Sequence, residues 1–263
     1  MIFGIRRQHV NGLALGGGAA RGWAHLGVIK YLEEQNIKPA CIAGTSIGAL
    51  IGGFYAADRL SVLEEIAATY TKRNYLALFD PGLFKSGFFQ GEKITDFLHE
   101  HLGDIRIEDL EISFVALSTD LISGEEVVIN RGSLATAIRA SISIPAFFNP
   151  VVVNGQMLAD GGLANPVPVA SVRQQGAKKI IAVDLNSTID PQEEEFVEGR
   201  HVSVLKVTMR SLCIIERQLA AAHYKVDSPD ILIKPSLQSV RIYEFHKAAE
   251  CMEKGYRAAR ETI

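Results

Sequence analysis

Basic charge is in short supply. Lys and Arg number 27 against 30 Asp and Glu, a formal net charge of −3 over 263 residues, so the chain lacks the electrostatic footprint of a nucleic-acid binder. Cysteine is scarcer still, with only Cys41, Cys213 and Cys251. Three widely spaced thiols offer neither metal-ligand spacing nor the even number of a disulfide framework, so reduced, buried thiols are expected and no metal or cofactor is implied. The opening residues Met1-Ile2-Phe3-Gly4-Ile5-Arg6-Arg7 lack the apolar core and small-residue cleavage site of a signal peptide, which gives a cytoplasmic expectation. Unbroken apolar spans are missing as well. Pro39 to Ala57 and Ala140 to Ala159 carry no charge. The first holds a glycine-rich turn and the second holds Pro145, Pro150 and Asn154, so both read as buried core instead of membrane spans. No internal repeat or linker interrupts the chain, and its 48% hydrophobic content can fill one large core, so a single domain over residues 1–263 is expected.

Against these absences stands a regular alternation of patterns. Strands are expected near residues 12–16 and 40–44, with helices near 22–35, 46–57 and 61–72, which argues for a parallel sheet flanked by helices. Further strands are expected over Ser113 to Asp120, Glu125 to Asn130, Lys179 to Leu185 and Asp230 to Lys234, with a helix over Leu134 to Ser141. Val151 to Val153 and Gln156 to Ala159 read as a hairpin turning at Asn154-Gly155. Helices over Val204 to Val226 and from Phe245 onward carry apolar faces that suit the core or self-association into a homo-oligomer.

Three segments carry chemistry. In Gly44-Thr45-Ser46-Ile47-Gly48, a serine sits between a short apolar run and a helical stretch. That is the layout of a nucleophile elbow, in which glycines make room for a strained strand-to-helix reversal that puts the hydroxyl where a substrate can reach it. Upstream, Leu13-Ala14-Leu15 runs into Gly16-Gly17-Gly18-Ala19-Ala20-Arg21-Gly22. Uncovered N–H groups before a helix can hold an anion, either a phosphate or the oxyanion of acyl transfer. The phosphate reading lacks the Lys-Ser/Thr ending of a P-loop and the G-x-G-x-x-G spacing of dinucleotide binders. The third segment is Asp160-Gly161-Gly162, an aspartate closing a strand beside two glycines and a candidate partner for Ser46.

Taken together and in this order, the three segments resemble the blocks of the patatin-like phospholipase family, and the resemblance covers most of the chain. Arg139-Ala140-Ser141-Ile142-Ser143-Ile144-Pro145, running on to Pro150, is similar to the family's Ser- and Pro-containing segment ahead of the acid strand, and Lys254-Gly255-Tyr256 in the last helix adds to the likeness. The resemblance implies a three-layer α/β/α sandwich with a mainly parallel sheet and a Ser–Asp dyad. Ser46 is then the nucleophile, Asp160 the general base, and Gly16, Gly17 and Gly18 the oxyanion hole. Gly44, Gly48, Gly161 and Gly162 support the turns, and Arg21 helps hold the glycine loop. The implied substrate is a phospholipid, a lysophospholipid or a related acyl ester, met by an enzyme that needs no cofactor and contacts the inner face of a membrane peripherally. An esterase or thioesterase of other acyl substrates, or an interaction protein with little turnover, remain the alternatives.

A Ser–His–Asp triad is the main competitor, since histidines stand at positions 9, 25, 99, 101, 201, 223 and 246. None lies in a comparable motif. His223 and His246 fall in charged helical stretches and His25 reads as a surface or packing residue, while Asp184, which ends a strand in Ala182-Val183-Asp184-Leu185, reads as structural. Residues 74–91 interleave Tyr75, Phe79, Phe84, Phe88 and Phe89 with Pro81, Gly82, Gly87 and Gly91, a composition that suits a lid or acyl-chain wall as well as an ordinary packed loop. The acidic run Glu193-Glu194-Glu195 reads as a solvated loop.

Overall fold

The structure, a computed structural model, describes residues 12–71, 73–74, 91–187 and 204–263. The aromatic segment, apart from Asn74 and Gly91, and the acidic run at 193–195 lie outside the described residues. Three short strands at the centre, β1 (Gly12–Leu15), β2 (Cys41–Thr45) and the first five residues of β3 (Ser113–Asp120), pair in parallel as β1–β2–β3. On the other side of β1, β7 (Ile180–Val183) and then β8 (Ile231–Ile233) continue the parallel sheet. Antiparallel strands extend it at the β3 end: β4 (Glu126–Ile129), and the hairpin of β5 (Val151–Val153) and β6 (Gln156–Asp160). That hairpin turns at Asn154 (φ 51°) and Gly155 (φ 81°), the two left-handed positions that an Asn-Gly turn supplies.

Alternation along the strands builds the layers. Leu13, Leu15, Ile42, Phe114, Ala116, Ile181 and Val183 face one core, while Ala14, Cys41, Ala43, Val115, Leu117, Ile180 and Ala182 face another. Both faces being covered is why these strands read as continuous apolar runs instead of an apolar–polar alternation. The first core is filled by α1 (Ala24–Glu34), α2 (Ile47–Ala56), α3 (Leu60–Thr69), α4 (Glu92–Leu102) and α5 (Leu134–Ser141), together with the last helix. The second is filled by α6 (Val169–Gln174) and α7 (Val204–Val226). The last helix, α8 (Ala248–Thr262), crosses α1 with a glycine on each side of the contact. A Cβ on Gly27 would stand 1.9 Å from Met252 O, and one on Gly255 2.0 Å from Ala24 O, so the two backbones touch. The expected three-layer α/β/α sandwich with a mainly parallel sheet is therefore the fold. Two helices went unanticipated: α4, which follows the turn-rich segment, and α6, at six residues too short to show a period. All three cysteines are buried and stand outside any disulfide.

Candidate active site

Strand β3 assembles the site because two strands end against the same edge of it. Ala116 pairs with Gly44 of β2 and also with Ile129 of β4, so β2 and β4 occupy opposite edges. Ser118 pairs with Val127 of β4 and also with Asp160 of β6, so β6 lies on the β2 edge. Antiparallel β6 therefore runs head-on toward parallel β2. The last rung of β2 is Thr45 on Leu117, and the first rung of β6 is Asp160 on Ser118. Thr45 and Asp160 are thus brought to adjacent rungs of one strand, and Ser46, next in the chain after Thr45, donates from Oγ to Asp160 Oδ2 at 2.5 Å across a sequence separation of 114.

Ser46 turns the chain from β2 into α2 with φ 55° and ψ −124°, a combination that L-residues avoid and that marks a strained elbow. Close packing of the turn against β1 holds it there. A Cβ on Gly48 would fall 2.1 Å from Leu15 O, and one on Gly44 would fall 2.4 Å from Gly48 O, so neither position admits a side chain. The Ser46 N–H donates to Ser141 Oγ at 2.9 Å, and that hydroxyl in turn donates to Leu117 O. Asp160 is fixed as firmly: its N–H donates to Ser143 O and its Oδ1 accepts from the Gly162 N–H at 2.8 Å. Ser143 is itself tied to Arg139, whose buried guanidinium also lies over the Phe148 ring. The Arg-x-Ser-x-Ser spacing of residues 139–143 thus braces the backbone of both Ser46 and Asp160.

Contrary to an elbow that opens to solvent, Ser46 and Asp160 are each only 4% exposed. The glycine loop covers them, with Gly17 close enough that a Cβ on it would contact the Ser46 Cβ at 3.5 Å. Burial also pushes the Asp160 carboxyl up to about 6, against the lowering effect of its bonds from Ser46 and Gly162.

Donors in the glycine loop are partly committed. Gly16 N–H donates to Val183 O and Gly17 N–H to Pro166 O, both at 3.0 Å. Of the three glycines expected to form the oxyanion hole, only Gly18 has an N–H without such a bond among the described residues. A 3₁₀ turn over Ala19–Trp23 then intervenes before α1 starts, so the loop does not open directly onto the α-helix.

Other sequence-derived candidates fall into place around this centre. Arg21 is buried, donating from Nε to Val240 O and from Nη1 to Asn186 Oδ1. His25 is buried and pairs Nε2 with Gly16 O at 2.8 Å. A carbonyl only accepts, so Nε2 carries the proton, and burial pushes the imidazole down to about 4, which keeps it neutral. Among the described residues no histidine bonds to Ser46 or Asp160. His223 lies half-buried in α7 and His246 is exposed. Asp184 is held by the Asn186 N–H and the Tyr224 hydroxyl. Gly161 packs against Leu117 O, and Gly162 faces Glu216, a residue of α7 that no motif had marked.

With this geometry in place, comparison with known proteins adds the following. The family described as "Patatin-like phospholipase" matches residues 13–173. An uncharacterized NTE family protein of Mycobacterium tuberculosis is 44% identical over 67% of this chain and 49% of its own length. A lysophospholipase of Saccharomyces cerevisiae is 35% identical over 70% of this chain but 11% of its own length. The chain therefore spans about half of the mycobacterial relative and a small part of the yeast one. The crystal structure of VipD from Legionella pneumophila superposes with a TM-score of 0.51 at 13% identity, over 97% of this chain and 66% of VipD, a likeness of fold.

Proposed function

The chain belongs to the patatin-like phospholipase family, and from that premise we propose that it is a serine acyl hydrolase that cleaves fatty-acyl esters of phospholipids or lysophospholipids with Ser46 and Asp160. The observation that carries the reading is the 2.5 Å bond from Ser46 Oγ to Asp160 Oδ2 at a strained elbow, in a buried site that no histidine among the described residues joins. Ser46 Oγ attacks the ester carbonyl as its proton passes to Asp160 Oδ2. Charge then develops on the carbonyl oxygen. The Gly18 N–H supports the oxyanion, and so does the Ile47 N–H, which as the first residue of α2 has no carbonyl to bond within its own helix. Collapse expels the alcohol, which takes the proton back from Asp160. Water attacks the acyl-enzyme with Asp160 again accepting a proton, and that proton passes to Ser46 Oγ as the acyl–oxygen bond breaks and the fatty acid leaves.

A carboxylate is a weak base for a hydroxyl. The dyad depends on two aids: the burial that raises Asp160, and donors aimed at the oxyanion, each contributing about 3–4 kcal/mol. The lysophospholipase name of the yeast relative supports the lipid class of the substrate. The test is labelling with a fluorophosphonate and mapping of the modified peptide. Label is expected on Ser46, absent in Ser46→Ala, sharply reduced in Asp160→Asn and retained in His223→Ala. Loss in His223→Ala, or label on another serine, overturns the dyad.

A further inference from the structure

Asp160 has an acidic neighbour that this mechanism leaves idle. Glu216, in the middle of α7, turns its carboxyl into the site. Its Oε2 accepts from Asn186 Nδ2 at 2.8 Å. Its Oε1 lies 2.7 Å from the point where a Cβ on Gly162 would stand, and Asp160 Oδ1 lies 3.1 Å from that same point. The two carboxyl groups thus border the same space beside Gly162. Asn186 is buried and anchored from behind by Arg21 Nη1, so a run of side chains from the 3₁₀ turn after the glycine loop ends on Glu216, beside the dyad.

Two carboxylates cannot both stay ionised in an enclosed space without a large repulsion, so the pair retains a proton. Burial first, then the charge of Asp160, push Glu216 upward. Asp160 accepts from both the Ser46 hydroxyl and the Gly162 N–H, bonds that favour its ionised form, while Glu216 accepts from Asn186 Nδ2, so the proton is assigned to Glu216. The charged and titratable groups facing Glu216 are Asp160 at the end of β6, Asp184 after β7 and Arg21 beyond Asn186. On α7 itself, Tyr224 is committed to Asp184.

We propose that Glu216 is a positioning acid of this active site: its protonated carboxyl packs against Asp160 across Gly162 and keeps the site at one negative charge throughout acyl transfer. The proposal rests on the Ser46–Asp160 reading. Before attack the single charge is on Asp160. After attack Asp160 is protonated and the charge is on the oxyanion. An ionised Glu216, its proton lost to solvent, adds a second negative charge beside both, in a medium where repulsion is weakly screened.

The experiment is the pH profile of kcat/KM on a p-nitrophenyl ester from pH 5 to 10, with spontaneous hydrolysis subtracted, for wild type, Ser46→Ala, Glu216→Gln and Asn186→Ala. Wild type is expected to lose about tenfold or more between pH 7 and 9.5, and Glu216→Gln to lose that alkaline fall. Gln keeps an acceptor for Asn186 and the same volume. Asn186→Ala removes a donor that lowers Glu216, so its alkaline fall moves to higher pH, a second readout should the Gln variant not fold. An unchanged alkaline fall in Glu216→Gln, an unmoved one in Asn186→Ala, or none in wild type overturns the proposal while Ser46-dependent turnover leaves the dyad standing. Turnover that persists in Ser46→Ala brings down the dyad reading, and this proposal with it.

Discussion

In the proposed mechanism Asp160 serves as a base while shut away from water, and burial sets its pH range. Its carboxyl is raised from 3.8 to about 6, chiefly by desolvation. Only the ionised form accepts the serine proton, so kcat/KM should rise as pH climbs through about 6 to a plateau near 7, ahead of the alkaline fall assigned to Glu216; a midpoint near 4 in the acid limb sinks this account. Stability runs the other way. Between about 4 and 6 the unfolded chain has released the proton and the folded chain has not, so the folded state binds more protons and stability falls as pH rises through that window. Asp160→Asn is therefore expected to be inactive yet more stable at pH 8, by on the order of 2 kcal/mol, with the gain fading toward pH 4 in thermal melts. Sequence revealed Ser46 and Asp160 because each stands in a glycine-flanked turn whose chemistry is local. It concealed His25, Asn186 and Glu216. Their roles arise from what lies across the fold, and a histidine one turn into a helix looks the same whether it meets water or the carbonyl of Gly16.

At the scale of elements, the elbow is a contact between β1, β2 and α2 as much as a turn. Gly48→Ala would drive a Cβ into Leu15 O. We expect it to cost about 3 kcal/mol, read as a lowered denaturant midpoint at unchanged slope, and to abolish labelling of Ser46. A midpoint equal to wild type removes the argument that packing holds the strained serine. Most elements were legible. The runs that became β1, β2, β7 and β8 were apolar and bounded, and the Asn154-Gly155 turn announced its hairpin. Strand β3 was recognised as a strand, but its two occupied edges were not, because pairing partners are set by tertiary register that no single-strand pattern encodes. The glycine loop was read as leading straight into a helix, and two of its N–H groups proved committed to Val183 and Pro166, partners that are remote in sequence.

At the scale of the whole molecule, the family match ends at residue 173, whereas Asn186, Glu216 and the helix that clasps α1 come later. Ile233, Leu237, Val240, Ala248, Cys251 and Ala259 all belong to the larger core. A chain cut after residue 187 is thus expected to lose its cooperative melt. Trp23, the only tryptophan and 4% exposed beside the glycine loop, should report this as a red-shifted emission. A cooperative transition with blue-shifted Trp23 in the truncated chain contradicts it. Among the described residues no helix is long and apolar enough to cross a membrane. In the proposed reaction the chemistry needs a site that stays accurate while the sheet around it twists and breathes. The head-on meeting of β2 and β6 supplies that accuracy in the manner of a differential gauge. Thr45, the serine's chain neighbour, and Asp160 are read off adjoining marks, Leu117 and Ser118, on a single ruler. Any slide or bend of that ruler moves both readings together, and the difference between them, which is the distance the chemistry uses, is preserved.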